Sequence, residues 1–170
     1  MTKTTLLHVL MEWVKTTEPT TRLAYVVHST LTVIELLCYI SHELGLDCSA
    51  ANKIDYVLAL QRFSRQCAGQ GERLLLILDE AQNYSHDVLE EIRLLSNIET
   101  PQGQQLQIIL AGQPQLLTNM NQQDIYQLKQ RVNVTYNLLP LNYGETHAYI
   151  QTRLDVAGAQ GRALFHDEAI

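Results

Sequence analysis

The chain has 170 residues, 46% of them hydrophobic and 18% charged, with a formal net charge of −6. That length suits one full core, or a domain plus part of a second, and the composition is ordinary for a soluble globular protein. The acidic balance makes nucleic acid an unlikely general partner while leaving room for a local basic patch, no apolar run approaches the ~18 residues of a membrane span, and no signal-peptide hydrophobic region follows Met1.

Thr4 to Lys15 reads as a helix, with Leu6, Leu7, Leu10 and Val14 on one face. Leu23 to Val27 reads as a buried strand. A second helix opens at Thr32, with Glu35 at capping-box spacing. Val33, Ile34, Leu37, Ile40 and Leu44 form its apolar face, and Gly45 is placed to end it. Ile54 to about Cys67 predicts a further helix, stopped by Gly69 and Gly71. The apolar run Leu74 to Leu78 has the pattern of a strand buried on both faces, and Asp79 and Glu80 follow it directly. Ser85 caps a helix over His86 to Leu95 with acids in its first turns. Leu106 to Ala111 is another strand, broken by Gly112 and Pro114. Gln122 to Arg131 is expected to be helical and Val132 to Leu138 to form a last strand. Asn142 and Glu145 repeat the capping-box spacing ahead of a helix over Thr146 to Val156, closed by Gly158, and a final helix is expected from about Asp167.

Helices alternating with short apolar strands imply a parallel sheet covered on both faces, an α/β protein in three layers. In such sheets ligands bind outside the carboxyl ends of the strands, which is where Asp79 and Glu80 stand. Nucleotide hydrolysis uses a pair of this kind, one acid holding Mg²⁺ and the next polarising the attacking water. Two solvated acids after a buried strand would give the same sequence. Cys38, Cys48 and Cys67 lack CxxC spacing and read as reduced thiols. His8, His28, His42, His86, His147 and His166 never pair at i,i+4, so no zinc site is indicated.

The blocks Leu76 to Gln82, Leu89 to Thr100, Leu106 to Leu116 and Leu128 to Val132 resemble, in order, the AAA+ ATPases of the ExeA/GspA-like group, associated with bacterial type II secretion and pilus biogenesis. Tyr149 to Leu154, with Ala157-Gly158 after it, is similar to the entry into that family's helical lid. The resemblance implies a P-loop NTPase core over residues 1–140 and the start of a lid over 141–170. It implies Asp79 as the Walker B ligand of Mg²⁺, directly or through water, and Glu80 as general base. Gln113 corresponds to the sensor-1 polar group near the γ-phosphate, or simply caps a turn before Pro114. Arg131 corresponds to an arginine finger reaching a neighbouring subunit, or pairs with an acid of its own. His28 stands where the family has Asn before Pro. It is a candidate to orient Glu80, or a solvated loop histidine.

The family's phosphate loop ends Gly-Lys-Thr-Thr-Leu, so Lys3 aligns with the lysine that reaches the β- and γ-phosphates and Thr4 with the Mg²⁺-ligating hydroxyl, followed by Thr5. Thr2 stands in place of the last loop glycine, and the first glycine of the chain is Gly45. A phosphate loop needs glycine dihedrals and an anchoring strand. The expectation is therefore an AAA+ core lacking its first strand and most of the loop, with unpaired ladder groups on the two neighbours of that strand. Three explanations stay open: a fragment or late-started reading frame, a degenerate relative, or a chance match at the start of an ordinary helix. The region of the sensor-2 arginine is not reached.

The resemblance implies ATP binding and Mg²⁺-dependent hydrolysis, driving assembly of a secretion or pilus apparatus. It further implies a homo-oligomer in the cytoplasm, held at the inner-membrane face by parts outside this chain. A DNA-binding transposition-helper ATPase and a non-hydrolysing interaction module are the alternatives. These 170 residues alone are expected to show no detectable turnover.

Overall fold

The computed structural model describes residues 3–28, 30–47, 49, 52–100, 103–104, 106–122 and 125–159. In chain order the elements are α1 (Lys3–Thr17), β1 (Thr21–Val26), α2 (Val33–Glu43), α3 (Lys53–Gly69) and β2 (Arg73–Leu78). A 3-10 turn over Ala81–Asn83 precedes α4 (His86–Leu95). Then come β3 (Glu99–Thr100), β4 (Gly103–Gln104), β5 (Leu106–Leu110), α5 (Gln115–Met120), α6 (Tyr126–Gln130) and α7 (Tyr143–Val156). The chain divides into two compact units, Leu7–Val134 and Met1–Leu6 with Thr135–Ile170.

The Leu7–Val134 unit is built on three parallel strands in the order β1-β2-β5. The reason β2 takes the middle is its side chains. Leu74 to Leu78 are all buried, and alternation sends them to both faces. Leu75 and Ile77 pack on Leu7, Met11 and Val14 of α1. Leu74, Leu76 and Leu78 enter the larger core, with Leu36, Leu37 and Ile40 of α2, Leu60 of α3, and Val88, Leu89 and Ile92 of α4. Each such side chain removed from water contributes about 1.5–3 kcal/mol. The layers are helix, sheet, helix, and the expected three-layer parallel α/β architecture is observed. β3 and β4 form a separate two-residue antiparallel ladder.

Local signals set the helix ends. Thr32 and Glu35 form the full capping box of α2, with Thr32 N–H donating to Glu35 Oε2 at 2.7 Å. Asn52 caps α3 through Asp55 N–H at 3.1 Å, and Asn142 and Glu145 form the box that opens α7. Gly45 follows α2 with φ +72°, a conformation that side-chain-bearing residues rarely adopt. Lys53 at the start of α3 pairs with the buried carboxylate of Glu91 on α4, tying two helices of one layer.

Two expectations are corrected. The helix expected over 122–131 is shorter, α6 at Tyr126–Gln130, and a second short helix, α5 at Gln115–Met120, precedes it. Pro114 begins the first of them rather than only ending the strand, because proline is tolerated where helical N–H groups have no partner. Leu116, Met120, Ile125 and Leu128 then face the core. Val132 to Leu138 is not a strand: Val134 is 84% and Tyr136 83% exposed. Alternating residues supply a face, but a strand also needs a ladder partner, and β5 ends the sheet on one side and β1 on the other among the described residues. The helix expected from Asp167 lies outside the described residues.

Candidate functional site

The carboxyl end of β2 carries a buried acid. Asp79 is 3% exposed, and its N–H still donates to Val26 O at 2.9 Å, prolonging the β1–β2 ladder. Its Oδ1 accepts Glu80 N–H at 2.8 Å and its Oδ2 accepts the Tyr25 hydroxyl at 3.4 Å. These bonds offset part of the cost of holding a carboxylate out of water. Tyr25 stands on β1, and His8 of α1 packs edge-on against its ring at 5.9 Å. Burial, then the charge of Asp79, pushes the Tyr25 hydroxyl above its usual range, so it stays a neutral donor. Tyr84, just past the 3-10 turn, is pushed further up by burial and then by Asp79. Its buried hydroxyl has no hydrogen-bond partner among the described residues.

Glu80 turns the chain out of the sheet. At φ 52°, ψ 33° it is the one non-glycine with positive φ among the described residues. Such a conformation costs about 1–3 kcal/mol and persists where the surroundings impose it. Here they do. Ala81 N–H donates to Ala111 O at 2.9 Å, and Ala111 N–H to Leu78 O at 2.9 Å, so the ends of β2 and β5 are stitched together around Glu80. The Glu80 carboxylate accepts Gln82 Nε2 at 2.7 Å, and Gln82 Oε1 accepts Gln113 N–H at 2.9 Å.

Asp79, Glu80 and Gln113 are thus brought together at the carboxyl ends of neighbouring strands, Gln113 through its backbone and with an exposed side chain. Arg131 caps the end of α6, exposed and without an ion pair among the described residues. Lys3, Thr4 and Thr5 form the first turn of α1 and belong to the other compact unit. His28 is exposed, with its ring edge-on to Tyr39 at 5.5 Å. The hydrogen-bonding role of Gln82 and the Tyr25 contact to Asp79 had no sequence signal beyond a polar residue two positions after Glu80 and an aromatic in a strand. The Asp79 carboxylate, which accepts from the Tyr25 hydroxyl and Glu80 N–H, offers hard oxygen donors of the kind that suit Mg²⁺.

A parallel sheet sandwiched by helices, with an acid pair leaving the middle strand, defines an α/β protein of the P-loop NTPase type. A family model described as an AAA domain matches residues 2–120. General secretion pathway protein A of Aeromonas hydrophila is 37% identical over 158 residues, 92% of this chain but 28% of that protein. The chain belongs to the AAA+ ATPases, in the ExeA/GspA-like group. It spans little more than a quarter (28%) of the length of that relative. Among solved structures, the Aeropyrum pernix ORC2 protein in its ADPNP–ADP complexes superposes with a TM-score of 0.72 at 20% identity, over 91% of this chain and 42% of that one. Cdc6p of Pyrobaculum aerophilum gives 0.64 at 13% identity, over 86% and 39%. At these identities the likeness is one of fold.

Proposed function

We propose that the whole protein binds ATP with Mg²⁺ at the carboxyl ends of β2 and β5 and hydrolyses it. The observation that carries this reading is the buried Asp79 at the end of the middle strand, followed by Glu80 in a left-handed turn. Asp79 would hold the metal, and the family resemblance gives the Thr4 hydroxyl the role of a metal-ligating oxygen as well. Lys3 and Thr5 belong to the phosphate-binding segment. Glu80 takes the proton of the attacking water, Gln113 senses the γ-phosphate, and Arg131 reaches the nucleotide of a neighbouring subunit. Mg²⁺, when bound, neutralises charge on the phosphates. Residues 1–140 make the nucleotide-binding core and 141–170 begin the lid.

Support for a secretion role comes from the relative's name, General secretion pathway protein A. The proposed partners are secretion or pilus assembly proteins and further copies of the same chain, at the cytoplasmic face of the inner membrane. No described helix is long and apolar enough to cross a membrane.

The test is calorimetric titration with Mg-ATP, on this chain and on a form extended ahead of Lys3 by an anchoring strand and a glycine-rich loop. The longer form is expected to bind and turn over, the shorter to show neither. In the longer form, Glu80→Gln should keep binding and lose turnover by about 10²–10⁴-fold. Equal turnover in the two proteins removes Glu80 from the mechanism.

A further inference from the structure

Gln82 lies between the two strand ends that carry the proposed hydrolytic residues, and both ends of its side-chain amide are engaged. Oε1 accepts Gln113 N–H at 2.9 Å, while Nε2 donates to Glu80 Oε2 at 2.7 Å. This orientation is fixed by chemistry: a backbone N–H only donates and a carboxylate only accepts, so the amide fits one way round. A carboxylate at this position could not donate, and an ammonium could not accept. The bond to Glu80 is charge-assisted, which makes it among the stronger contacts available to an uncharged side chain.

The rest of Gln82 is held as firmly. Asn119 Nδ2 donates to its carbonyl at 3.1 Å, and the neighbouring Ala81 N–H is bonded to Ala111 O at 2.9 Å. Gly112 leaves room for the amide: a Cβ there would stand 3.0 Å from Gln82 Oε1 and 3.0 Å from Leu116 Cδ2. Glu80 itself sits in a left-handed backbone conformation that the ladder between the strand ends imposes. Its carboxylate is therefore aimed by two devices, a strained turn and an amide strut.

We infer that Gln82 is a positioning residue whose amide couples the loop after β5 to the Glu80 carboxylate, so that any shift of Gln113 toward a bound phosphate re-aims Glu80. The inference rests on the reading of Glu80 as general base. It adds a route by which occupancy at the strand ends reaches the base, running through one side chain and two hydrogen bonds.

The experiment is steady-state ATPase kinetics in the whole protein. Gln82→Met keeps the volume and removes both polar ends. It is expected to lower kcat roughly 10- to 100-fold, the effect of a misplaced reacting group, with KM within about twofold of wild type. Gly112→Ala pushes on the same amide from the other side and is expected to lower kcat alone as well. Glu80→Gln/Gln82→Met should be no slower than Glu80→Gln, because the strut acts only through Glu80. Wild-type kcat in both single variants overturns the inference, as does a double variant slower than Glu80→Gln. If Glu80→Gln itself keeps its turnover, the base assignment falls and takes the strut with it, a result distinct from the other two.

Discussion

Cys67 is a residue whose chemistry is set almost wholly by burial. It is 1% exposed on α3, and burial pushes its thiol up to about 11, with Glu72 adding and Arg22 opposing. A thiol held neutral resists alkylation, since the thiolate is the nucleophile. Iodoacetamide at pH 8 is therefore expected to leave Cys67 unmodified in the folded protein and to label it after denaturation, read by peptide mass. The same shift has a stability sign. The unfolded thiol ionises near its ordinary 9.0 and the folded one only near 11, so the unfolded state is favoured as pH rises through that window. Below it the group has no effect. Urea midpoints should fall between pH 9 and 11 more steeply for wild type than for Cys67→Ala, and parallel curves would rule the thiol out. On the acid side the sign reverses at Glu72, whose carboxyl is held below its ordinary value chiefly by hydrogen bonds from Arg22. Its contribution is present at neutral pH and is lost as pH falls through the folded value.

At the scale of elements, β2 bears most of the fold because it is the strand with a neighbour on each side and a helix layer on each face. Ile77 is fully buried among α1 side chains, so Ile77→Ala removes about 2–5 kcal/mol by urea unfolding, cavity included. Thr32→Ala, which deletes a hydroxyl accepting Glu35 N–H at 3.4 Å, removes about 1 kcal/mol. A smaller loss from Ile77→Ala than from Thr32→Ala would contradict the central place of β2. These two sites also mark what was legible in the sequence. The apolar run of β2 and the Thr32–Glu35 spacing are local facts, and local facts survive folding. The alternation over 132–138 has the pattern of a strand, but periodicity records which side chains could share a face, not whether a partner strand lies alongside. Pro114 has the look of a breaker, but the same residue that ends a strand can begin a helix. Asp79 and Glu80 were legible as neighbours of a buried run. Gln82's bond to Gln113 was not, since its partner is 31 residues away and only the β2–β5 register brings the two together.

On the scale of the whole molecule, Asp79, Glu80, Gln82, Gln113 and Arg131 all fall within Leu7–Val134, the unit that contains both hydrophobic clusters of the described residues. The stretch 133–141 beyond α6 is exposed throughout, and no backbone hydrogen bond holds it among the described residues. Proteases need a segment of backbone free to enter their cleft, and that requirement selects unbonded, exposed chain over exposed side chains on helices. Trp13, Tyr126 and Tyr143 are all exposed, but each lies in a helix, whereas Tyr136 is exposed in unbonded chain. Limited chymotrypsin is thus expected to cut first after Tyr136 and to leave a stable fragment ending there, identified by mass. That fragment keeps α1 and the three-stranded sheet, so it should unfold in one cooperative step and still shield Cys67 from iodoacetamide. First cleavage after Trp13 would mean that α1 opens more readily than the stretch 133–141, and a fragment that reacts at Cys67 without denaturant would mean that the Leu7–Val134 core depends on the chain that follows it.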